Sequence, residues 1–143
     1  MIAFKKILGI TDDIVFLPIH GVGKGNAEDR KKSQREISAK LIKLRKHDPV
    51  LLVDGDVAGK SMKEVNKESE LTVIELTDVD ASFKTIEALF DKADLEKFEL
   101  VDAKGKYIKH ASSSALIKTF ADNYEFSDQT KANFKKLFER LID

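Results

Sequence analysis

The residues best suited to chemistry lie together in Val50-Leu51-Leu52-Val53-Asp54-Gly55-Asp56-Val57-Ala58-Gly59-Lys60-Ser61. An apolar run gives way there to two carboxylates and two glycines, and then to a helical stretch. Carboxylates at i and i+2 can converge on one hard cation such as Mg²⁺ or Mn²⁺, and Mg²⁺ keeps several of its waters. Such an ion suits phosphate chemistry. Gly55 lets the chain turn tightly, and Gly59 permits the backbone to approach a phosphate or a neighbouring strand. Two other readings of the same residues stand beside this one. Asp56, immediately before Val57, is a good N-cap, and both acids complement a helix dipole. Alternatively, Gly59-Lys60-Ser61 ends the segment as a phosphate-binding loop ends, with Lys60 toward phosphate, but three residues rather than four separate its glycines. The run Gly21-Val22-Gly23-Lys24-Gly25-Asn26 fits neither that loop nor the dinucleotide fingerprint, so ATP hydrolysis is not expected.

The elements that must position these residues follow from periodicity. Ile14–Ile19, Val50–Val53 and Leu71–Leu76 have strand length and strand composition, and two are nearly continuously apolar, as in a parallel sheet covered by helices. Ala27 to Lys46 contains no Gly or Pro, can be capped by Asn26, and places Ile37, Leu41 and Leu44 on one stripe. It reads as the crossover helix. Val57 to Asn66 and Ser82 to Ala93 read as further helices, the latter with Phe83, Ile86, Leu89 and Phe90 as its apolar surface. Lys97–Leu100 and Lys106–Ile108 flank a turn at Asp102-Ala103-Lys104-Gly105. Ser113–Asp122 and Asp128–Ile142 complete the chain as helices, with Phe134, Leu137, Phe138 and Leu141 spaced by three and four. The expected fold is α/β: a short, Rossmann-like parallel sheet flanked by helices, with a helical C-terminal extension. Residues 1–143 are expected to form one domain, with an α/β core over 1–93 and a hairpin and helical extension over 94–143.

Composition narrows the classes. The chain has 143 residues, 42% of them apolar, with 25 Lys and Arg balanced by 25 Asp and Glu. That length supports one modest core, and bulk charge selects no partner. Without cysteine there is no disulfide, thiol nucleophile or cysteine-ligated metal. No apolar run reaches the ~20 residues of a membrane span, and the start lacks the long apolar middle of a signal peptide. A soluble, cytoplasmic chain is expected.

Leu52-Val53-Asp54-Gly55-Asp56-Val57-Ala58-Gly59 resembles the aspartate motif of Toprim domains, the metal-binding α/β unit shared by topoisomerases, primases and some nucleases. The wider chain is similar to the Toprim part of OLD-family (overcoming lysogenization defect) nucleases, in which an ATPase domain precedes Toprim. Phe16-Leu17-Pro18-Ile19-His20-Gly21, Asp54-Gly55-Asp56 and Thr85-Ile86-Glu87-Ala88-Leu89-Phe90 carry that narrower likeness, supported by Ser127 to Leu141. The resemblance implies divalent-metal-dependent cleavage of DNA phosphodiester bonds. It implies Asp54, Asp56 and Glu87 as ligands of Mg²⁺ or Mn²⁺, with the Thr85 hydroxyl beside them, and Gly55, Gly59 and Lys60 near phosphate. It also implies a lysine that stabilises transition-state charge, Lys109 first and Lys118 second. The partners expected are DNA, an ATPase domain encoded upstream or in a separate chain, and a second copy of this chain.

The likeness has a gap. Toprim domains begin with an apolar strand ending in glutamate, whereas Met1–Leu8 reads as the helix that follows such a strand, and Asp12, Asp13 and Glu28 lie in the wrong context to replace the acid. Weak activity or none in isolation is therefore expected. The competing reading is a non-catalytic, Toprim-derived interaction module, and a more distant one is a nucleotide-binding α/β protein. His20 reads as a structural histidine or a phosphate neighbour, and Tyr107 and Tyr124 lack the surroundings of a topoisomerase nucleophile. Arg30, Lys31, Lys32, Arg35, Lys40, Lys43, Arg45 and Lys46 read as a solvated helix face or as a track for nucleic-acid phosphates.

Overall fold

Residues 50–53 and 72–75 make the only paired strands among the described residues, and their ends place the acidic turns of the candidate site. The computed structural model describes residues 1–12, 14–15, 25–43, 49–106, 108 and 125–142. In chain order its elements are α1 (Ile2–Ile7), α2 (Ala27–Ile42), β1 (Val50–Val53), α3 (Val57–Val65), β2 (Thr72–Glu75), α4 (Leu76–Val79), a 3₁₀ turn (Ile86–Leu89), α5 (Lys92–Lys97) and α6 (Asp128–Ile142). The fold is α/β. β1 and β2 pair in parallel, with Val50 beside Thr72 and Val53 beside Glu75. A parallel pair needs a crossover, and α3 supplies it.

The chain divides into two compact units, Leu17–Ala88 and Met1–Phe16 with Leu89–Asp143. In the first, Leu51, Val53, Met62 and Leu71 form a buried cluster, covered by Ile37, Leu41, Ile42 and Val73. Helix α2 starts where Asn26 accepts the amides of Glu28 and Asp29, as expected. Its most buried residues are nevertheless polar, Gln34 and Ser38. Ser38 bonds back to the Gln34 carbonyl, while the Gln34 side chain donates to the Ala58 carbonyl at 2.9 Å and accepts from Ser61 Oγ at 2.9 Å. Satisfied in this way, a buried amide ties α2 to the first turns of α3 without an unmet group.

In the second unit, α1 belongs with the C-terminal helix rather than with the α/β layer. Phe4 is buried and stacks on Phe134, with ring centroids 3.6 Å apart and planes 3° from parallel. Phe90 and Phe126 also meet Phe4, and Phe126 meets Phe98. Aromatic burial thus joins the two ends of the sequence in one core. A second tie is polar: buried Asp94 accepts from the amide and hydroxyl of Ser127 and from the Thr130 hydroxyl. Thr130 in turn accepts the Asp91 amide at 2.8 Å, so the starts of α5 and α6 are bound together.

Several sequence expectations change. No α-helix spans Ser82–Ala93. Asp80 accepts from the amide and hydroxyl of Ser82, the chain turns, and only the short 3₁₀ segment and α5 follow. Local side-chain bonding competes with helix here. Residue 76 leaves the strand for α4, where the Asp78 side chain accepts the Glu75 amide at 3.0 Å. The turn at Asp102–Gly105 forms, with Gly105 at φ 73° and Asp102 Oδ1 accepting the amides of Lys104 and Lys106. Most of the expected strand at Ile14–Ile19, the end of the crossover helix at 44–46 and the helix at Ser113–Asp122 lie outside the described residues. No helix among the described residues is long and apolar enough to cross a membrane.

Candidate functional site

Because Val53 pairs with Glu75, the residues that follow β1 and β2 share one edge of the sheet. That edge is where open α/β sheets gather functional groups. Asp54 is exposed there, and its Oδ1 accepts the amide of Ile86 at 3.2 Å across 32 positions of sequence. Gly55 donates its amide to the Lys84 carbonyl at 2.9 Å. These two bonds bring the segment carrying Thr85 and Glu87, both half-buried, against the acidic turn.

Asp56 has a different task. With extended backbone it is the N-cap of α3, and its Oδ1 accepts the Gly59 amide at 2.8 Å. One carboxylate oxygen is thereby spent on the helix, in the role that competed with metal binding in the sequence. Both glycines are explained by space, since neither has a left-handed φ. A Cβ on Gly59 would collide with the Asp54 carbonyl oxygen, and one on Gly55 with the Thr77 side chain. The end of β1 occupies the room at Gly59. Lys60 is exposed on the first turn of α3.

Sequence reasoning missed the acids of the neighbouring strand. Glu75 ends β2 with a buried side chain, accepts from the Thr77 hydroxyl at 3.3 Å and lies 3.8 Å from Lys63 Nζ. Lys63 contacts Asp78 at 2.6 Å. The available signal is Glu75-Leu76-Thr77-Asp78, an acidic, hydroxyl-bearing strand end whose Glu75 pairs with Val53, the residue before Asp54; the strand reading of Leu71–Leu76 hides it. Lys63 offsets part of this negative charge.

Asp54 and Asp56 offer carboxylate oxygens of the type hard divalent ions take, and a cation that keeps most of its water needs only one or two of them. Among the described residues, no group of three or more His, Asp or Glu is arranged to hold a metal ion. These acids therefore form no enclosed metal site among the described residues. Lys109, Lys118 and His20 lie outside the described residues.

The cap makes a prediction that separates structure from charge. Asp56→Ala should cost about 1 kcal/mol of helix stability, whereas Asp56→Asn keeps a capping oxygen and should cost only a few tenths. Urea unfolding followed by circular dichroism checks both. Equal losses in the two variants would mean that the carboxylate charge, not the cap, is what α3 uses. No known protein family, curated protein or solved structure matches the chain.

Proposed function

We propose that this chain is a Toprim-derived α/β protein of the OLD-nuclease kind. It acts on DNA phosphodiesters with a divalent cation at the turn after β1. The observation that supports this reading is the bond from the Ile86 amide to Asp54, which holds the 84–86 backbone against the aspartate turn although nothing local in the sequence requires it; Asp54, Asp56 and Glu87 do not form a three-carboxylate metal group. Asp54 would be the principal ligand, with Asp56 contributing the oxygen not engaged by Gly59. When bound, the ion would offset negative charge on a phosphodiester. The chain's own contribution is to hold the acids at the sheet edge through β1, the α3 cap and the 84–86 segment.

A non-catalytic interaction module is the second reading, favoured by the commitment of Asp56 Oδ1 to helix capping. Mn²⁺ titration and plasmid nicking separate the two. Asp54→Asn keeps an acceptor for Ile86 but removes a charge, and should weaken Mn²⁺ binding by roughly tenfold, consistent with carboxylate preference, while abolishing nicking. Saturable Mn²⁺ binding and nicking that are unchanged in this variant would end the assignment. A folded protein with neither activity would be the interaction module.

A further inference from the structure

Asp54-Gly55 is the one Asp-Gly or Asn-Gly step in the 143 residues. Such a step is intrinsically reactive, because glycine has no side chain to shield its backbone nitrogen from the carboxyl group of the residue before it. Asp54 is exposed, so water and solvent base reach the reacting atoms. Space holds the glycine in place: a Cβ on Gly55 would collide with the Thr77 side chain. A bulkier, slower-reacting residue is therefore denied to this position.

Both reacting groups are held by one segment. Gly55 donates its amide, whose nitrogen would be the nucleophile, to the Lys84 carbonyl at 2.9 Å. Asp54 Oδ1, on the carboxyl group that would be attacked, accepts the Ile86 amide at 3.2 Å. Residues 81–85, between α4 and the 3₁₀ turn, form turns and bends rather than helix or strand. Irregular segments of this kind open locally at low free energy. A single opening of the 84–86 stretch would release the nitrogen and the carboxyl group together.

We propose that Asp54-Gly55 is a site of succinimide formation and isoaspartate accumulation, kept shut by the bonds that Lys84 and Ile86 make to it. In the opened state the Gly55 nitrogen gives its proton to solvent base and attacks Cγ of the protonated Asp54 carboxyl group. A nitrogen–Cγ bond forms, and the displaced hydroxyl takes up a proton and leaves as water. Water then opens the ring. Breaking the new nitrogen–Cγ bond restores Asp54, whereas breaking the original peptide bond routes the main chain through Cγ as isoaspartate. One water is lost and one gained, with no oxidation or reduction. Isoaspartate adds a methylene to the main chain directly after β1 and attaches the carboxylate to Cα itself, so the bond to Ile86 is not remade in the same place. The inference requires neither a metal ion nor DNA.

The test ages the full chain at neutral pH and follows residue 54 by mass spectrometry with electron-transfer fragmentation, which separates isoaspartate from aspartate. The succinimide is seen as the loss of one water. The folded chain should accumulate isoaspartate at least about tenfold more slowly than the same chain unfolded in guanidinium chloride, because only the locally opened fraction reacts. Ile86→Pro removes the amide that Asp54 accepts, at the first position of a helical turn, where proline fits. It should speed accumulation about tenfold, as when one hydrogen bond to a charged group is lost. Sub-denaturing guanidinium chloride gives a second measure that needs no variant: isoaspartate formation in the wild-type chain should rise in proportion to hydrogen exchange at the Gly55 amide. The proposal is overturned if the folded chain reacts as fast as the unfolded one, if accumulation is uncoupled from Gly55 exchange, or if folded Ile86→Pro ages no faster than wild type. Should Ile86→Pro not fold, the guanidinium series alone decides.

Discussion

Alanine at position 59 is expected to destabilise the Leu17–Ala88 unit by about 3 kcal/mol, the upper range for forcing atoms into a packed site. Helix propensity alone predicts the opposite sign, because Gly in a helix interior costs about 1 kcal/mol relative to Ala. The collision decides the matter. The new methyl would overlap the carbonyl oxygen of Asp54, a backbone atom at the end of β1, and the Val53 side chain is also within contact distance. Neither can swing aside as the end of a long side chain could. Relief requires α3 to retreat from β1, which would loosen the Asp56 cap and the Gln34 bond to Ala58. Hydrogen exchange at the amides of β1, compared between wild type and Gly59→Ala, reports on this unit directly. Protection equal to or greater than wild type would show that the close approach is not needed.

Asp94→Ala is expected to cost about 3 kcal/mol in the other unit, as for buried donors that lose a charged hydrogen-bond acceptor. The carboxylate is buried and receives the Ser127 amide, the Ser127 hydroxyl and the Thr130 hydroxyl. Removing it leaves these donors without their acceptor and frees the start of α6. Asp94→Asn should fall between wild type and Ala, because it keeps one oxygen but turns an amide toward donors. Two compact units make a single global unfolding energy a poor measure. Exchange rates along α6 are the better readout, and first-turn amides in Asp94→Ala that stay as protected as in wild type would refute the role.

The sequence was most informative where structure depends on near neighbours. β1 at Val50–Val53, the start of α3 at Val57 and the whole of α6 coincide with the expected elements. A short continuous apolar run, a capping residue and spacing by three and four are local signals, and these segments carry them without conflict. Ser82–Ala93 misled because Phe83 and Leu89 are both buried but do not lie on one helical face; the Asp80–Ser82 turn and the bonds from 84 and 86 to the aspartate turn take the segment instead. Gln34 was equally hidden. A glutamine on a charged helix reads as solvent-facing unless its partners, Ala58 and Ser61, are known.

By itself the amino-acid order determined that this is an α/β chain with an aspartate-rich turn after a buried strand. Those properties follow from residue type and short-range periodicity. Only the tertiary structure decided how each residue of the turn is used: Asp54 receives Ile86, Asp56 caps α3, and Gly59 makes room for the Asp54 carbonyl. It also joined Phe4 to Phe134 in one aromatic core. The physical reason is the same in each case. A side chain's hydrogen-bonding capacity and volume are inherent in its type, but the atom that meets them is selected by packing between segments distant in the chain.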